Sequence, residues 1–159
     1  MLEADNTWAY PPVSYYFEVS VDTMTGVDCL FSEVSGIEVD LGTGVEVKEG
    51  GNNSYTHKLP GRVNYADLEL KRGLVPKTSP LFTWCESSLS GNFTNPIETK
   101  TVIVKLLNNE GDTLVSWNFS KAYPIKMTVS SFNASASGDS AIVIETIKLS
   151  YSEFERNYT

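Results

Sequence analysis

The stretch Phe31–Leu74 reads FSEVSGIEVDLGTGVEVKEGGNNSYTHKLPGRVNYADLELKRGL, and its reading decides how the rest of the chain is understood. Val39, Leu41, Val45 and Val47 alternate with Glu38, Asp40, Glu46 and Lys48, which is the pattern of a half-buried strand. Ala66, Leu68 and Leu70 alternate in the same way with Asp67, Glu69 and Lys71. Between the two runs lie Gly50, Gly51, Asn52, Asn53, Pro60 and Gly61, residues that permit positive φ or end a ladder. A connection this long without clear periodicity is uncommon in a compact domain, and is usually functional or disordered. Tyr55, His57 and Leu59 nevertheless alternate through it, as a strand in search of a partner would.

The 159 residues suit one domain, with 41% hydrophobic and 20% charged residues. The formal net charge is −8, and Lys71-Arg72 is the only basic cluster, which argues against ordinary nucleic-acid binding. Cys29 and Cys85 are read as structural thiols rather than a bridge, because Cys85 falls on the apolar face of the expected helix. No basic segment followed by an apolar run marks a signal peptide, and no apolar run is long enough for a membrane span. Folding in the cytosol is therefore expected, and the Asn-x-Ser/Thr triplets are read as chance.

Outside the central stretch, residues 1–13 are expected to be an N-terminal extension ending in Pro11-Pro12. Its Trp8 and Tyr10 can pack back on the domain or on a neighbouring subunit, and both readings stand. Tyr15, Phe17, Val19 and Val21 predict a first strand, Thr25-Gly26 a turn, and Cys29–Val34 the returning strand. A helix is expected at about residues 79–90, capped by Ser79, entered through Pro80 and stopped at Gly91. Leu81, Trp84, Cys85 and Ser88, with Phe82 and Leu89, form its inner stripe. Val102, Val104 and Leu106 predict a strand, Asn108–Asp112 a hairpin loop, and Thr113–Phe119 the return. Tyr123-Pro124 reads as an interruption before a further strand at Ile125, Met127 and Val129. A polar loop at Asn133–Ser140 then leads into a last long strand over Ala141–Tyr151. The fold class is mainly β: an antiparallel sandwich or barrel with one helix, residues 14–159 forming a single domain.

Chemistry is sparse. His57 is the only histidine, it has no nucleophile elbow to serve, and no Cys/His set has zinc spacing. Gly42-Thr43-Gly44 lacks the remainder of a dinucleotide loop. Asp67 and Glu69 lie about 7 Å apart on one strand face, but alternation with Lys71 makes that face a solvated one. No catalysis, cofactor or metal is expected.

Several pieces in order are similar to the tail-tube family of contractile phages and contractile injection systems. They are Tyr16-Phe17-Glu18-Val19, Phe31–Ile37, Val47-Lys48-Glu49-Gly50-Gly51, His57-Lys58-Leu59-Pro60-Gly61 and Leu68–Gly73. Trp117-Asn118-Phe119, Ala122-Tyr123-Pro124 and Ile144–Leu149 complete the series. No single piece is diagnostic; the series is. The aromatic leader (Trp8, Tyr10) and the Tyr158-Thr159 tail depart from the pattern.

The resemblance implies a structural subunit whose hexameric rings stack into a tube, the sheets joining into a barrel around a channel. It implies an extended arm, about 45–65, reaching the next ring, with Val47, Glu49, Tyr55, His57, Leu59, Pro60 and Arg62 as contact residues. Surrounding sheath protein, baseplate and terminator proteins, and a protein or DNA cargo are the implied partners, in a virion or an injection particle. Glu18 and Ser20, and Asp67 and Glu69, are the candidates for the channel lining. Two alternatives remain: a tube-initiating baseplate or cap ring of the same family, and a carbohydrate-binding β-sandwich.

Overall fold

A 17-residue strand, β7 (Thr113–Val129), holds the two halves of the sheet together. Its N-terminal half is flanked by β6 (Lys100–Leu107) and β9 (Glu153–Tyr158), both pairing antiparallel: Trp117 faces Val104 on one side and Arg156 on the other. Its C-terminal half pairs with β8 (Ile144–Ser150). Beyond β6 lies β1 (Phe17–Val21), and beyond β8 lie β5 (Leu68–Gly73) and then β2 (Glu33–Ser35). The order is β1-β6-β7-β8-β5-β2. β3 (Val39–Val47) and β4 (His57–Tyr65) form a separate two-stranded ribbon. The computed structural model describes residues 10–22, 24, 30–47, 50, 57–74, 78–91 and 96–159.

The mainly antiparallel β fold with one helix agrees with the sequence reading, and most strands lie where alternation put them. Inward positions alternate along each strand: Val19 and Val21, Val102 and Val104, Leu68 and Leu70, Ile147 and Leu149 are buried. α1 (Pro80–Leu89) packs against β7 and buries Leu81, Trp84 and Cys85. Ser79 Oγ accepts from the Phe82 N–H at 3.4 Å, Pro80 occupies the first turn, and Gly91 has φ +73° beyond the last turn. The Trp84 indole N–H donates to the Glu98 carbonyl at 2.8 Å, satisfying the one polar atom of that buried ring. The hairpin between β6 and β7 is closed by Asn108, whose Oδ1 accepts from the N–H groups of Glu110 and Asp112 at 2.9 and 2.8 Å.

Three expectations are corrected. The strand expected at Cys29–Val34 is only Glu33–Ser35, and it pairs with β5 instead of returning along β1, whose partner is β6. The Thr25-Gly26 turn and Cys29 lie outside the described residues. Tyr123-Pro124 does not interrupt the chain: β7 runs through it, with Pro124 opposite Leu149 and a register shift before Lys126. β6 has ended there, its Lys100 standing opposite Ala122, so among the described residues β7 has a ladder neighbour on one side only. A strand tolerates a missing N–H at such a place. Finally, Arg72 is not part of an exposed basic pair. It points inward, 2% exposed, while Lys71 points outward and binds Glu33 at 3.2 Å.

The sequence reading also left residues 153–158 without a strand. β9 carries Phe154 into an aromatic cluster with Phe119, Tyr151 and Tyr65, with ring centroids 4.8–6.2 Å apart. That cluster closes the end of the sandwich from which the ribbon emerges.

Candidate assembly surfaces

The ribbon is built from the two runs that looked unpartnered in sequence. Val39 faces Tyr65, Asp40 faces Asn64, Leu41 faces Val63 and Val47 faces His57. The partner for the His57–Leu59 segment is thus the chain's own β3, and the strand is not half-buried in this chain. Val39, Leu41, Leu59 and Val63 are 53%, 57%, 50% and 52% exposed. Cross-strand pairing puts Val39 with Tyr65 and Leu41 with Val63 on one face, and exposed Leu59 lies beyond the register shift of β4. An apolar patch of Val39, Leu41 and Val63 therefore lies on one side of the ribbon, about half exposed with respect to the described residues. Covering the exposed half of each side chain is worth about 1 kcal/mol.

Glycine shapes this ribbon. A Cβ on Gly61 would stand 2.5 Å from the Gly42 carbonyl oxygen and 3.0 Å from the Gly44 nitrogen, so only glycine lets the strands cross this closely. Register shifts on both sides of Thr43 accompany the crossing. At the base, Gly36 has φ +88° and sits against the Asp67 carbonyl, where no side chain fits. Tyr151 donates its hydroxyl to Ala66 O at 2.6 Å, tying the return of the ribbon to the aromatic cluster. Burial, then the nearby Asp67 and Tyr65, push the Tyr151 hydroxyl up to about 12.

Of the expected contact residues, Val47 ends β3 and His57 begins β4 opposite it, Leu59 and Arg62 are exposed, and Pro60 stands opposite Thr43. Glu49 and Tyr55 lie outside the described residues. Alternation alone marked Val39 and Leu41 as apolar, but it could not show that both would be more than half exposed. Val63 and Tyr65 were not singled out, although they continue the period of Leu59.

The channel-lining candidates are not brought together. Glu18 and Ser20 lie on the outward face of β1, opposite Lys105 and Ile103. Glu69 lies on the outward face of β5, between Ser35 and Lys148, and exposed Asp67 precedes that strand. The two sets belong to different halves of the sheet.

Among the described residues no cluster of His, Cys, Asp and Glu is arranged to hold a metal ion, and no helix is long and apolar enough to cross a membrane. Cys85 is a free, buried thiol that burial pushes up to about 12, Arg72 lowering it and Glu145 raising it. Such a thiol is inert near neutral pH.

Among the described residues, strands paired on one side only, a glycine-shaped ribbon and an exposed apolar patch are the features that stand out. Residues 13–155 match the family model of the T4-like virus tail tube protein gp19, and the chain belongs to that family. The fold is similar to a chain in the PVC extracellular contractile injection system sheath-tube complex in its extended state. Identity there is 28% over 95% of this chain and 94% of that one, with a TM-score of 0.76. A chain in the tube-terminating cap of the anti-feeding prophage is 26% identical over 96% and 95%, with a TM-score of 0.78. A chain in the PVC sheath/tube terminator is 29% identical over 95% and 99%, with a TM-score of 0.75. Comparison with curated protein sequences found no match. The chain is a structural tube subunit of the contractile tail class, and the carbohydrate-binding reading is not favoured.

Proposed function

We propose that this chain forms hexameric rings that stack into the inner tube of a contractile particle, with the β3–β4 ribbon reaching onto the adjacent ring. The observation that carries this reading is the ribbon itself: paired, crossed closely at glycine, and apolar along a face that none of the described residues covers fully. A second subunit over that face would bury Val39, Leu41 and Val63, and an isolated subunit would leave them half in water. Residues 14–159 act as one unit in this arrangement, with Val47, Glu49, Tyr55, His57, Leu59, Pro60 and Arg62 at or near the inter-ring contact. A head-to-tail contact whose rotation closes produces a ring, and six copies is the number the family resemblance suggests.

The tube so formed would carry a sheath outside, end on baseplate and terminator proteins, and pass protein effectors or DNA. Assembly would take place in the cytoplasm, and the particle would act outside the producing cell or as a virion. These partners are supported by the company kept by the similar chains, which come from sheath-tube, terminator and cap assemblies.

The test is a double substitution on the patch, Leu41→Asn with Val63→Asn. Both side chains are already exposed, so the subunit should keep its thermal midpoint and circular dichroism. Mass photometry should then show rings or monomers but no tubes. Tubes that form as readily as those of the native chain would remove the ribbon from the stacking contact.

A further inference from the structure

We propose that residues 1–10 of one copy dock in a groove of a neighbouring copy, with Trp8 as the anchor. The proposal rests on the reading that copies of this chain associate. It adds a contact at the place where the chain departs from the tail-tube pattern, its aromatic leader.

A groove of about 560 Å³ opens between the β1-β6-β7 sheet and the segment around β2. Phe17, Leu106 and Trp117 form one wall, and Phe31, Val34 and Ile37 the other. All six are half-buried, and all but Leu106 pack against the core, so the groove is a seam of the core left unfilled. Folded interiors leave few voids larger than a water molecule. An apolar recess of roughly 300–1,000 Å³ is instead the size that holds a compact apolar ligand.

Charge says what kind of segment fits. The walls carry one cation, Lys105, and one carboxylate, Glu33. Glu33 is engaged by Lys71 at 3.2 Å, whereas among the described residues no carboxylate is within ion-pair distance of Lys105. The leader, MLEADNTWAY, is the complement: Glu3 and Asp5 precede Trp8, Leu2 and Tyr10 flank them, and no Lys or Arg is present. An indole offers the largest apolar surface of any side chain together with one N–H to place at the rim.

Connectivity decides which copy receives it. Ser14 and Tyr15 line the groove, so the leader joins its own fold at the groove's mouth. Pro11 and Pro12 fix their own φ, and each holds the residue before it extended. At about 3.1 Å per residue, Tyr10–Val13 spans about 12 Å. Tyr10 is 84% exposed at the far end, and Trp8, outside the described residues, comes two positions earlier in the chain. To fill its own groove the leader would have to double back within those two positions. A neighbouring groove is met by going straight on, and exchange of an arm between copies is a low-cost route to association.

Cross-linking tests which copy is joined. In a Cys29→Ser background, a chain with Ala9→Cys and Ser32→Cys keeps Trp8 and carries one thiol beside it and one on the rim of the groove. Oxidation by copper phenanthroline, at a concentration where the native chain assembles, should give a ladder of covalent multimers with disulfides between positions 9 and 32. Cross-linked monomers alone would put the leader in its own groove, and the absence of a 9–32 disulfide would take it out of the groove. Either result overturns the proposal.

A second measurement uses the native chain. A synthetic peptide of residues 1–12, added in excess, should disperse its assemblies, and the same peptide with Trp8→Ala should be needed at about thirtyfold higher concentration. Assemblies indifferent to the native peptide would overturn this proposal and leave the ring reading standing. A native chain that never associates would overturn the ring reading and this proposal with it.

Discussion

Arg72 Nε donates to Glu145 Oε2 at 3.1 Å across β5 and β8, and both side chains are 2% exposed. The two residues are directly opposed in the strand register, and the guanidinium lies 5.7 Å from the centre of the Phe31 ring. The pair joins adjacent strands inside the core, near enough to Cys85 that both charges influence its thiol. Removing Arg72 leaves a buried carboxylate without the guanidinium it faces, and removing Glu145 takes an opposed anion from a buried guanidinium. Glu145→Gln and Arg72→Met should each destabilise the monomer by about 3–5 kcal/mol. The double variant Arg72→Met with Glu145→Leu should cost less than either single change. Urea unfolding below the assembly concentration reads all three, and a double variant as costly as the sum of the singles would contradict the account.

This pair was legible in the alternation and passed over. Arg72 shares the parity of Leu68 and Leu70, and Glu145 that of Ile147 and Leu149, so each lies on a face otherwise apolar. Reading Lys71-Arg72 as a basic cluster hid the fact that adjacent strand residues point to opposite sides. β9 was missed for a related reason: Phe154 stands between Glu153 and Glu155 but charged Arg156 takes the next position of its face, and only pairing with β7 distinguishes that run from a tail. Pairing partners are the least local property of a β-protein. Short-range pattern placed β1, β6 and α1, but no pattern within Cys29–Val34 could show that its partner was β5. The ribbon was visible as an anomaly, since Gly42, Gly44 and Gly61 mark a close crossing that a periodicity argument does not register.

Gly61 makes a separable test of ribbon and sheet. Gly61→Ala would place a methyl group 2.5 Å from the Gly42 carbonyl oxygen, so the ribbon must open or unpair. The sheet and its core lie elsewhere, and the thermal midpoint should move by no more than about 4 °C. Tube formation should be lost. A large drop in the midpoint would mean that the ribbon contributes to the stability of the core.

Shortening the ribbon tests the same separation from the other end. Deleting Asn52–Leu59 removes the first residues of β4 and the segment before it, and the loop-closure change is small, about 0.6 kcal/mol per halving. The deleted chain should fold and form no tubes. Loss of the folded state would place this segment in the core.

Alkaline pH should destabilise the subunit in a predictable direction. The Cys85 thiol, ordinarily near 9.0, is pushed up to about 12 by burial, so the folded state holds its proton after the unfolded chain has released it. That contribution is fully present below pH 9.0 and is lost as the pH rises toward about 12. The slope is about 1.4 kcal/mol per pH unit. Tyr151, ordinarily near 10.0 and pushed up to about 12, acts in the same direction. Cys85→Ala should flatten the fall in stability above pH 9.0, measured by urea titration at a series of pH values. An unchanged slope would assign the alkaline sensitivity to other groups.

The central claim is that this chain is a tube subunit completed by its own copies, and negative-stain electron microscopy of the purified protein tests it most directly. The account predicts hollow rings of six subunits that stack into tubes as concentration rises, with the Leu41→Asn/Val63→Asn variant stopping short of tubes. Solitary compact particles over the whole concentration range, for native chain and variant alike, would contradict it.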